Sequence, residues 1–285
     1  MIKKAVLSDL DTLVELAYQQ NQRKDQWSGF LSSTKSSIEN DIRDMMNDDQ
    51  SFIYFAEEEG VIHSMIMATP NPGLNLLDVM GPFTLLETLS SAKELIHKVT
   101  KHMKFPAIQC VVHADSLYYQ TLFSSFSNVL LTHEYTLVIH KDQLKNQSAR
   151  LDVNVAKPKH YPLIQALHNS IFNAVYLTSE DLVDVKDSQI LFVLEQTDEI
   201  IGYAKVLVMN NTLHLEVIAV REDVRGKGIG KAFLKSVLIK AFEVYPINRM
   251  QLMVDATHEK AIRLYQQIGF TEQQKRSIYH ISTLE

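Results

Sequence analysis

The chain has 285 residues, of which 46% are hydrophobic and 22% are charged, a composition typical of a soluble globular protein with room for two domains. Its formal net charge of −6 argues against nucleic acid or an anionic membrane as a main partner. Cys110 is the only cysteine, which excludes an internal disulfide and a cysteine-built zinc site, and the eleven histidines lack metal-ligand spacing. We therefore expect no metal.

The sequence contains no apolar run that approaches the ~20 residues of a membrane-spanning helix. The first residues, MIKKAVLSDLDTL, also lack the long apolar stretch of a signal peptide. These two features predict a cytoplasmic protein with no membrane partner.

The first half of the chain alternates patterns typical of strands and helices. MIKKAVLSDLDTLVEL, from Met1, predicts a strand followed by a helix, and FIYFAEEEGVIHSMIMA, from Phe52, predicts two strands joined by an acidic turn. IQCVVHADSLYYQTLF, from Ile108, predicts a further strand and helix. A polar segment at 141–150, KDQLKNQSAR, then predicts a linker.

The second half repeats these patterns. VNVAKPKHYPLIQAL again predicts a strand and a helix, and ILFVLEQTDEIIGYAKVLV again predicts two strands around an acidic turn. Gln109 matches Gln251 at an offset of 142 positions, which is 251 minus 109, and residues around them match at the same offset. We therefore predict two copies of one α/β (α+β) fold, each a central mixed sheet flanked by helices, at 1–140 and 151–285.

A cluster of glycines marks a strand-to-helix turn in the second copy. LHLEVIAV, at 213–220, is a β-prone run, and the apolar residues of 229–242 recur at helical spacing. Between them RGKGIG, at 225–230, holds three of the nine glycines of the chain. The first amides of a helix have no partner and attract anions, and glycine lets phosphate oxygens approach them closely. Nearby cations add positive charge, so the turn predicts a pyrophosphate site: Arg225, Lys227 and Lys231.

The spacing of the glycines separates this turn from the common nucleotide loops. A dinucleotide-binding loop needs GxGxxG, and a Walker loop needs GxxxxGK followed by Ser or Thr, whereas this chain has GxGxG and then Ala232. The pattern [QR]xxGx[GA] fits instead, with Arg225, Gly228 and Gly230 at its fixed positions.

A second motif follows at 250–270, MQLMVDATHEKAIRLYQQIGF. Its first residues predict a strand, Thr257 predicts a helix N-cap, and Gly269 predicts a left-handed helix end. The helix between them has an apolar stripe at positions i, i+3, i+4 and i+7: Ala261, Leu264, Tyr265 and Ile268.

Together the two motifs resemble the coenzyme A-binding core of the GNAT superfamily of N-acyltransferases. The resemblance is specific over 213–270 and looser back to residue 151. It implies acetyl-CoA as the acyl donor and two tandem GNAT-like domains, each with a mostly antiparallel sheet. His258 stands where the family often has asparagine. The implied cofactor-binding residues are Ile218, Ala219, Val220, Arg225, Gly226, Lys227, Gly228, Ile229, Gly230, Lys231 and His258.

The resemblance also implies roles in acyl transfer, which requires a deprotonated nucleophile, a stabilised oxyanion and a proton for the departing thiolate. Tyr265 would protonate the thiolate, unless it is an ordinary tyrosine that faces the core. Strict alternation along the strand places Glu216 on the same face as Ile218 and Val220. Glu216 is there either the base or a solvated carboxylate, and His214 is a weaker candidate. Neither motif contains a cysteine, so we expect direct attack in a ternary complex.

The first copy lacks this chemistry. Phe123 stands in the place of Tyr265, so no hydroxyl is available there. Where the glycine loop is expected, VMGPFTLLETL has no basic residue and one glycine, Gly81, followed by a proline that removes a backbone donor. We expect this copy to bind no coenzyme A and to act as a built-in dimer partner, as in tandem GNAT proteins with one degenerate half. The whole protein is then a monomer or a homodimer.

The leading interpretation is an N-acetyltransferase that transfers acetyl from acetyl-CoA to a primary amine. A non-catalytic acyl-CoA-binding or regulatory protein is the alternative, and a pure interaction module would leave the glycine loop without a role. The sequence does not specify the acceptor. The family sets acceptor specificity with its first helices, here about 161–185, where Tyr161, Tyr176 and Glu180 are candidate lining residues.

Overall fold

A computed structural model of the chain describes residues 1–86, 89–101, 105–144, 151–172, 177–197 and 199–282. The chain divides into two compact units, the first Met1–Glu134 with Lys275–Glu285 and the second Tyr135–Gln274. Two strands, β6 and β12, therefore contribute residues to both units. Their ranges are β6 Val129–His140 and β12 Thr271–Ser282. The predicted domain boundaries at 140 and 150 stay a prediction, and residues 145–150 of the predicted linker lie outside the described residues.

The first unit is a sheet with helices on both faces. Its further strands are β1 Ile2–Lys4, β2 Phe52–Glu58, β3 Val61–Asn71, β4 Leu76–Thr84 and β5 Ala107–His113. Its helices are α1 Leu10–Asn21, α2 Lys35–Asn47, α3 Ser90–Lys101 and α4 Leu117–Phe123. The strands lie in the order β1–β2–β3–β4–β5–β12. β4 and β5 pair in parallel, whereas the pairs β1/β2, β2/β3, β3/β4 and β5/β12 are antiparallel.

The second unit repeats this arrangement. Its further strands are β7 Asn154–Val155, β8 Gln189–Gln196, β9 Glu199–Met209, β10 Thr212–Val220 and β11 Arg249–Asp255. Its helices are α5 Tyr161–Ile171, α6 Ser179–Val183, α7 Ile229–Val244 and α8 Glu259–Ile268. The strand order is β7–β8–β9–β10–β11–β6, and β10 and β11 form the parallel pair. The pairs β7/β8, β8/β9 and β9/β10 are antiparallel, so the predicted mixed, mostly antiparallel sheets are confirmed.

Each face of each sheet has its own hydrophobic cluster, because the apolar residues of the strands alternate between the two sides. In the first unit α1 and α2 cover one face, and α3 and α4 cover the other. In the second unit α5 and α6 cover one face, and α7 and α8 cover the other. We call the last two the α5/α6 face and the α7/α8 face. None of the described helices is long and apolar enough to span a membrane.

Two local predictions are wrong and one is confirmed. The N-cap of α8 is His258 rather than Thr257, because the amide and the hydroxyl of Thr257 both donate to Asp255 Oδ1 at 2.7 and 2.5 Å. Gly81 lies inside β4 rather than in the loop that follows it. Gly269 does end α8 in the left-handed conformation, with φ at 119°.

A gap in the first sheet is filled by the chain itself. β4 and β5 pair only at 77–79 with 108–110 and then separate. The side chain of Gln26, which is buried, spans to β4: its Nε2 donates to Thr84 O at 2.8 Å, and its Oε1 accepts from Thr84 N at 2.7 Å. On the other side, Gly29 N donates to Val111 O of β5 at 2.7 Å. The segment 26–29 thus supplies the hydrogen bonds that a paired strand would otherwise supply.

The fit of this segment depends on a glycine at the point of closest approach. A Cβ added to Gly29 would lie 2.5 Å from Val111 Cγ1, so no larger residue fits without a shift of the strand. The neighbouring Ser28 forms an isolated antiparallel bridge with Val112. Both edges of the gap between β4 and β5 are therefore in use.

We expect Gln26→Ala to lower the free energy of unfolding by about 2 to 6 kcal/mol, because two buried backbone groups each lose a partner at about 1 to 3 kcal/mol. Urea unfolding followed by circular dichroism measures this. Gln22→Ala is the matched control, because Gln22 is exposed and donates one hydrogen bond, to Ser33 O. There we expect a loss below about 1 kcal/mol. Equal losses in the two variants would contradict the role of Gln26.

Candidate active site

The parallel strands of the second unit separate almost as soon as they pair. Leu213 and His214 pair with Met250 and Gln251, and the rest of β10 pairs with β9 alone. Arg221 N donates to Ile201 O of β9 at 2.8 Å.

Amide directions alternate along a strand, so the Arg221 bond fixes the directions of the amides before it. The amides of Ile218 and Val220 point away from β9, toward the side where β11 has separated. The same alternation turns the amide of Ala219 toward β9. Among the described residues, no backbone segment bridges this gap as 26–29 bridges the gap of the first unit.

The glycine loop lies directly after this free strand end. A short 3-10 turn at 222–224 follows β10, and α7 begins at Ile229 with Gly228 as its N-cap. Gly226 and Gly228 have φ of 75° and 80°, the left-handed region that favours glycine. The backbone amides of residues 226–231 have no hydrogen-bond acceptor in the part of the chain that the structure describes. Six consecutive unpaired amides at a helix N-terminus form an anion site.

Cationic side chains lie on and beside the loop, two of them bonded to backbone carbonyls next to it and the third to α8. Arg225 Nε donates to Val220 O at 3.0 Å, which joins the loop to the end of β10. Lys227 Nζ donates to Asp223 O at 2.9 Å, and Lys231 Nζ donates to Gln267 Oε1 at 3.1 Å. The cations therefore stay near the loop, as binding of a pyrophosphate requires.

Tyr265 lies on α8 at the same face of the sheet as the loop. It packs against the α7/α8 cluster together with Ile218, Val220 and Ile229, and its ring meets Phe270 edge-on at 5.8 Å. Burial raises the pKa of the hydroxyl above the usual value of about 10, so the phenol keeps its proton at neutral pH. No hydrogen-bond partner of this hydroxyl is found among the described residues.

The corresponding residue of the first unit has no such capacity. Phe123 is 1% exposed and its ring lies 5.6 Å from that of Tyr119 and 4.5 Å from that of Tyr279. An apolar ring in a closed aromatic cluster can neither donate a proton nor admit a thiol. This supports the interpretation of the first unit as degenerate.

Glu216 occupies a β-bulge, so its side chain does not lie on the face of the sheet that strict alternation along β10 predicts. Leu215 pairs with Val206 and Val217 with Lys205, so Glu216 is an extra residue in the register. Before the bulge Leu213 and Leu215 belong to the α7/α8 cluster, and after it Ile218 and Val220 do.

The carboxylate of Glu216 instead lies on the α5/α6 face. Its Oε2 is 3.7 Å from Nζ of Lys205, a buried residue whose neighbour Tyr203 belongs to the α5/α6 cluster. Glu216 therefore faces away from Ile218 and Val220 and away from Tyr265. The sequence motifs do not single out Lys205; its position as the one charged residue of the apolar run IIGYAKVLVM is the signal that could identify it.

The remaining candidates lie at varied positions. His258 is exposed, and His214 is partly buried near Gln251 Nε2, where burial lowers the pKa of its imidazole. Tyr161 packs against the α5/α6 cluster, whereas Glu180 is exposed. Tyr176 lies outside the described residues. No group of three or more His, Cys, Asp or Glu side chains that could hold a metal is found in the described ranges.

Comparison with known sequences points to one family. The sequence model of the acetyltransferase (GNAT) family matches residues 161–270. A mycothiol acetyltransferase from Streptomyces coelicolor is 28% identical over 146 residues, which cover 49% of this chain and 44% of that protein. A spermine/spermidine N(1)-acetyltransferase from Bacillus subtilis is 36% identical over 61 residues, 21% of this chain and 40% of that protein. These matches thus span less than half the length of either relative.

Solved structures of similar fold cover the whole chain. A GCN5-related N-acetyltransferase from Sphaerobacter thermophilus superposes with a TM-score of 0.74 at 15% identity, covering 100% of this chain and 96% of that one. A tandem GNAT protein from the clavulanic acid biosynthesis pathway gives a TM-score of 0.65 at 10% identity, with 100% and 99% covered. The chain thus has the fold of tandem GNAT proteins, and its residues 161–270 form a domain of the GNAT acetyltransferase family.

Proposed function

We propose that the second unit transfers an acetyl group from acetyl-CoA to a primary amine, by direct attack in a ternary complex. The observation that carries this proposal is the row of unpaired amides at 226–231, which follows a strand end whose own amides face an open gap. The pyrophosphate of acetyl-CoA needs the unpaired loop amides, and its extended, amide-bearing pantetheine arm needs the free edge of the strand that precedes the loop.

The acetyl-CoA would bind along this row. Its pyrophosphate accepts hydrogen bonds from the loop amides between Arg225 and Lys231, and its pantetheine arm lies along the amides of Ile218 and Val220. The amide of Val220 polarises the thioester carbonyl and stabilises the oxyanion that forms on attack. Contributions of Ala219 and His258 stay predictions.

The chemistry divides between the two faces of the sheet. The amine nitrogen attacks the thioester carbon, the C–N bond forms, and the C–S bond breaks as the tetrahedral intermediate collapses. Tyr265, on the α7/α8 face, gives its proton to the departing thiolate. Glu216, on the α5/α6 face, accepts the proton that the amine loses, directly or through a water molecule.

A non-catalytic acyl-CoA-binding protein is the alternative, because it needs the loop and the gap but neither Tyr265 nor Glu216. The exposed His258, in place of the asparagine common in the family, is the feature that favours it. The acceptor and the acyl chain length are open. The names of the relatives refer to mycothiol and to spermine or spermidine, so a screen of acceptors begins with small molecules. That the protein acts in the cytoplasm stays an expectation from its sequence.

Calorimetric titration with acetyl-CoA tests the proposal. We expect one equivalent bound per chain and no detectable binding by an Arg225→Glu/Lys227→Glu variant, since reversed charge repels the pyrophosphate. An amine screen that follows release of free thiol then identifies the acceptor. Absence of binding by the unaltered protein would overturn both the transferase and the sensor, and two equal sites would show that the first unit is not degenerate.

A carboxylate placed in the loop separates binding from folding in the same titration. A Cβ at Gly230 meets only Val220 Cγ2 at 3.8 Å, and an acidic residue in the first turn of a helix is favourable, so Gly230→Glu should not lower the free energy of unfolding. The added negative charge repels the pyrophosphate, and we expect the affinity for acetyl-CoA to fall about tenfold or more. Gly230→Ala is the control, because the pattern [QR]xxGx[GA] accepts alanine at this position, and its affinity should stay within about twofold.

Tyr265→Phe tests the acid. We expect turnover to slow about a hundredfold, the lower end of typical acid–base contributions, with the dissociation constant of acetyl-CoA nearly unchanged. Because burial raises the pKa of the hydroxyl, the unaltered protein should lose activity only above about pH 10, and this decline should be absent in the variant. Steady-state rates from pH 6 to pH 11 measure both effects. An unaltered rate would remove Tyr265 from the mechanism.

A further inference from the structure

Lys205 is a buried cation that the mechanism above does not use. It lies in β9 with its side chain 4% exposed, between Ala204 and Val206, which are fully buried. A charged ammonium in such surroundings costs free energy unless it is paired and hydrogen-bonded.

Its contacts connect two parts of the site. Lys205 Nζ donates to Asp181 O of α6 at 2.8 Å, and it lies 3.7 Å from Glu216 Oε2. That carboxylate oxygen is itself buried and has no hydrogen-bond partner among the described residues. The ammonium is thus close enough to stabilise the charge of Glu216 but too far to occupy its lone pairs.

The first unit shows which residues occupy the equivalent positions in a copy of the fold that lacks the site. β3 and β9 each have 11 residues, and Met67 holds the position in β3 that Lys205 holds in β9. β4 and β10 each have nine residues, and Met80 holds the position of Glu216. Met67 and Met80 are directly paired, and they are 0% and 4% exposed.

This comparison argues that the charged pair is not needed for folding. A buried ion pair is often no more stabilising than apolar residues of similar volume, and the first unit has such residues. The pair occurs in the unit that has the loop, the open gap and Tyr265. Its cost is therefore best explained by chemistry at Glu216.

We propose that Lys205 is a positioning residue of the acetyl transfer proposed above, which keeps the Glu216 carboxylate ionised and holds α6 against β9. The partly exposed carboxylate of Glu216 takes the proton that the attacking amine releases. The link to Asp181 O fixes α6, beside which the acceptor is expected.

Other titratable and charged groups on this face have different partners. His168 is held between Tyr203 Oη at 2.6 Å and Leu177 O at 2.8 Å. In the described part of the chain, Lys205 is the only cation within 4.0 Å of Glu216. Further titratable and charged groups of this face, by element, are Tyr161 and His168 of α5, Asp181 of α6, Glu195 of β8, which lies 3.8 Å from His160, Tyr203 of β9, His214 of β10 and Arg249 of β11.

The test compares three substitutions at Lys205 with Glu216→Gln. Glu216→Gln should abolish the acidic limb of the pH profile of kcat/KM, because the group that titrates is gone. Lys205→Gln keeps a donor for Asp181 O but loses the charge, so the acidic limb should move to higher pH while the KM of the acceptor stays within about twofold. Lys205→Met should move the limb and also raise that KM. Lys205→Arg should restore the limb.

Two readouts make the result independent of the acceptor and of folding defects. The Glu216 carboxyl signal, assigned in ¹³C-glutamate-labelled protein by its loss in Glu216→Gln, should titrate at higher pH in Lys205→Gln than in the unaltered protein. The double variant Lys205→Met/Glu216→Met copies the pair of the first unit. It should unfold at the same or a higher urea concentration and bind acetyl-CoA with unchanged affinity, but should show no turnover.

The control is Lys240→Met on α7, because Lys240 Nζ also donates to a backbone carbonyl, that of Val153, near the carboxylate of Asp152. It should leave the acidic limb and the Glu216 signal in place. An unmoved Glu216 titration in Lys205→Gln would overturn the role of Lys205. If every amine fails but the Glu216 titration moves as expected, the proposed transfer is overturned while the electrostatic role of Lys205 stands.

Discussion

The separation of two parallel strands determines the rest of the second unit. Once β10 leaves β11 after His214, the amides on one edge of its last residues have no partner within the sheet. Backbone donors that stay unpaired are costly unless water or a ligand satisfies them. The free strand end leads into a glycine turn whose amides are unpaired as well. One continuous line of donors results, and it suits a long molecule that carries both a pyrophosphate and amide groups.

In the first unit the same separation of two parallel strands also leaves backbone groups without a partner in the sheet, but a side chain of the unit pairs with them. β4 leaves β5 after three paired residues, and the side chain of Gln26 then satisfies both backbone groups of Thr84. The two copies therefore have the same strand order and the same gap but differ in what fills it. Because Gln26 pairs with Thr84, the amide of Thr84 is not vacant for a ligand. This is a physical reason for degeneracy that adds to the missing glycines and the missing hydroxyl.

Local patterns were sufficient to predict the elements around the glycine loop, the repeat and the loop itself, because each depends on spacing within one segment. No prediction was made for α2, α3, β6 or β12. The predictions that failed depend on competition or on register. Thr257 is not the N-cap of α8, because its amide and its hydroxyl both donate hydrogen bonds to Asp255. The face of Glu216 was wrong because a bulge is fixed by the residue count of the neighbouring strand, which alternation along β10 cannot show. The role proposed for Lys205 can be recognised only when the pairing of β9 with β10 is known.

Because of the bulge at Glu216, β10 presents the Glu216 side chain on one face of the sheet and the side chains of Ile218 and Val220 on the other. Without an extra residue, the carboxylate would lie on the side of Ile218 and Val220, against the α7/α8 cluster and beside the donor thioester. The extra residue turns it to the α5/α6 face, where Lys205 stabilises its charge and where the acceptor is expected. In the proposed reaction, proton removal from the amine and proton delivery to the thiolate then occur on opposite sides of the sheet.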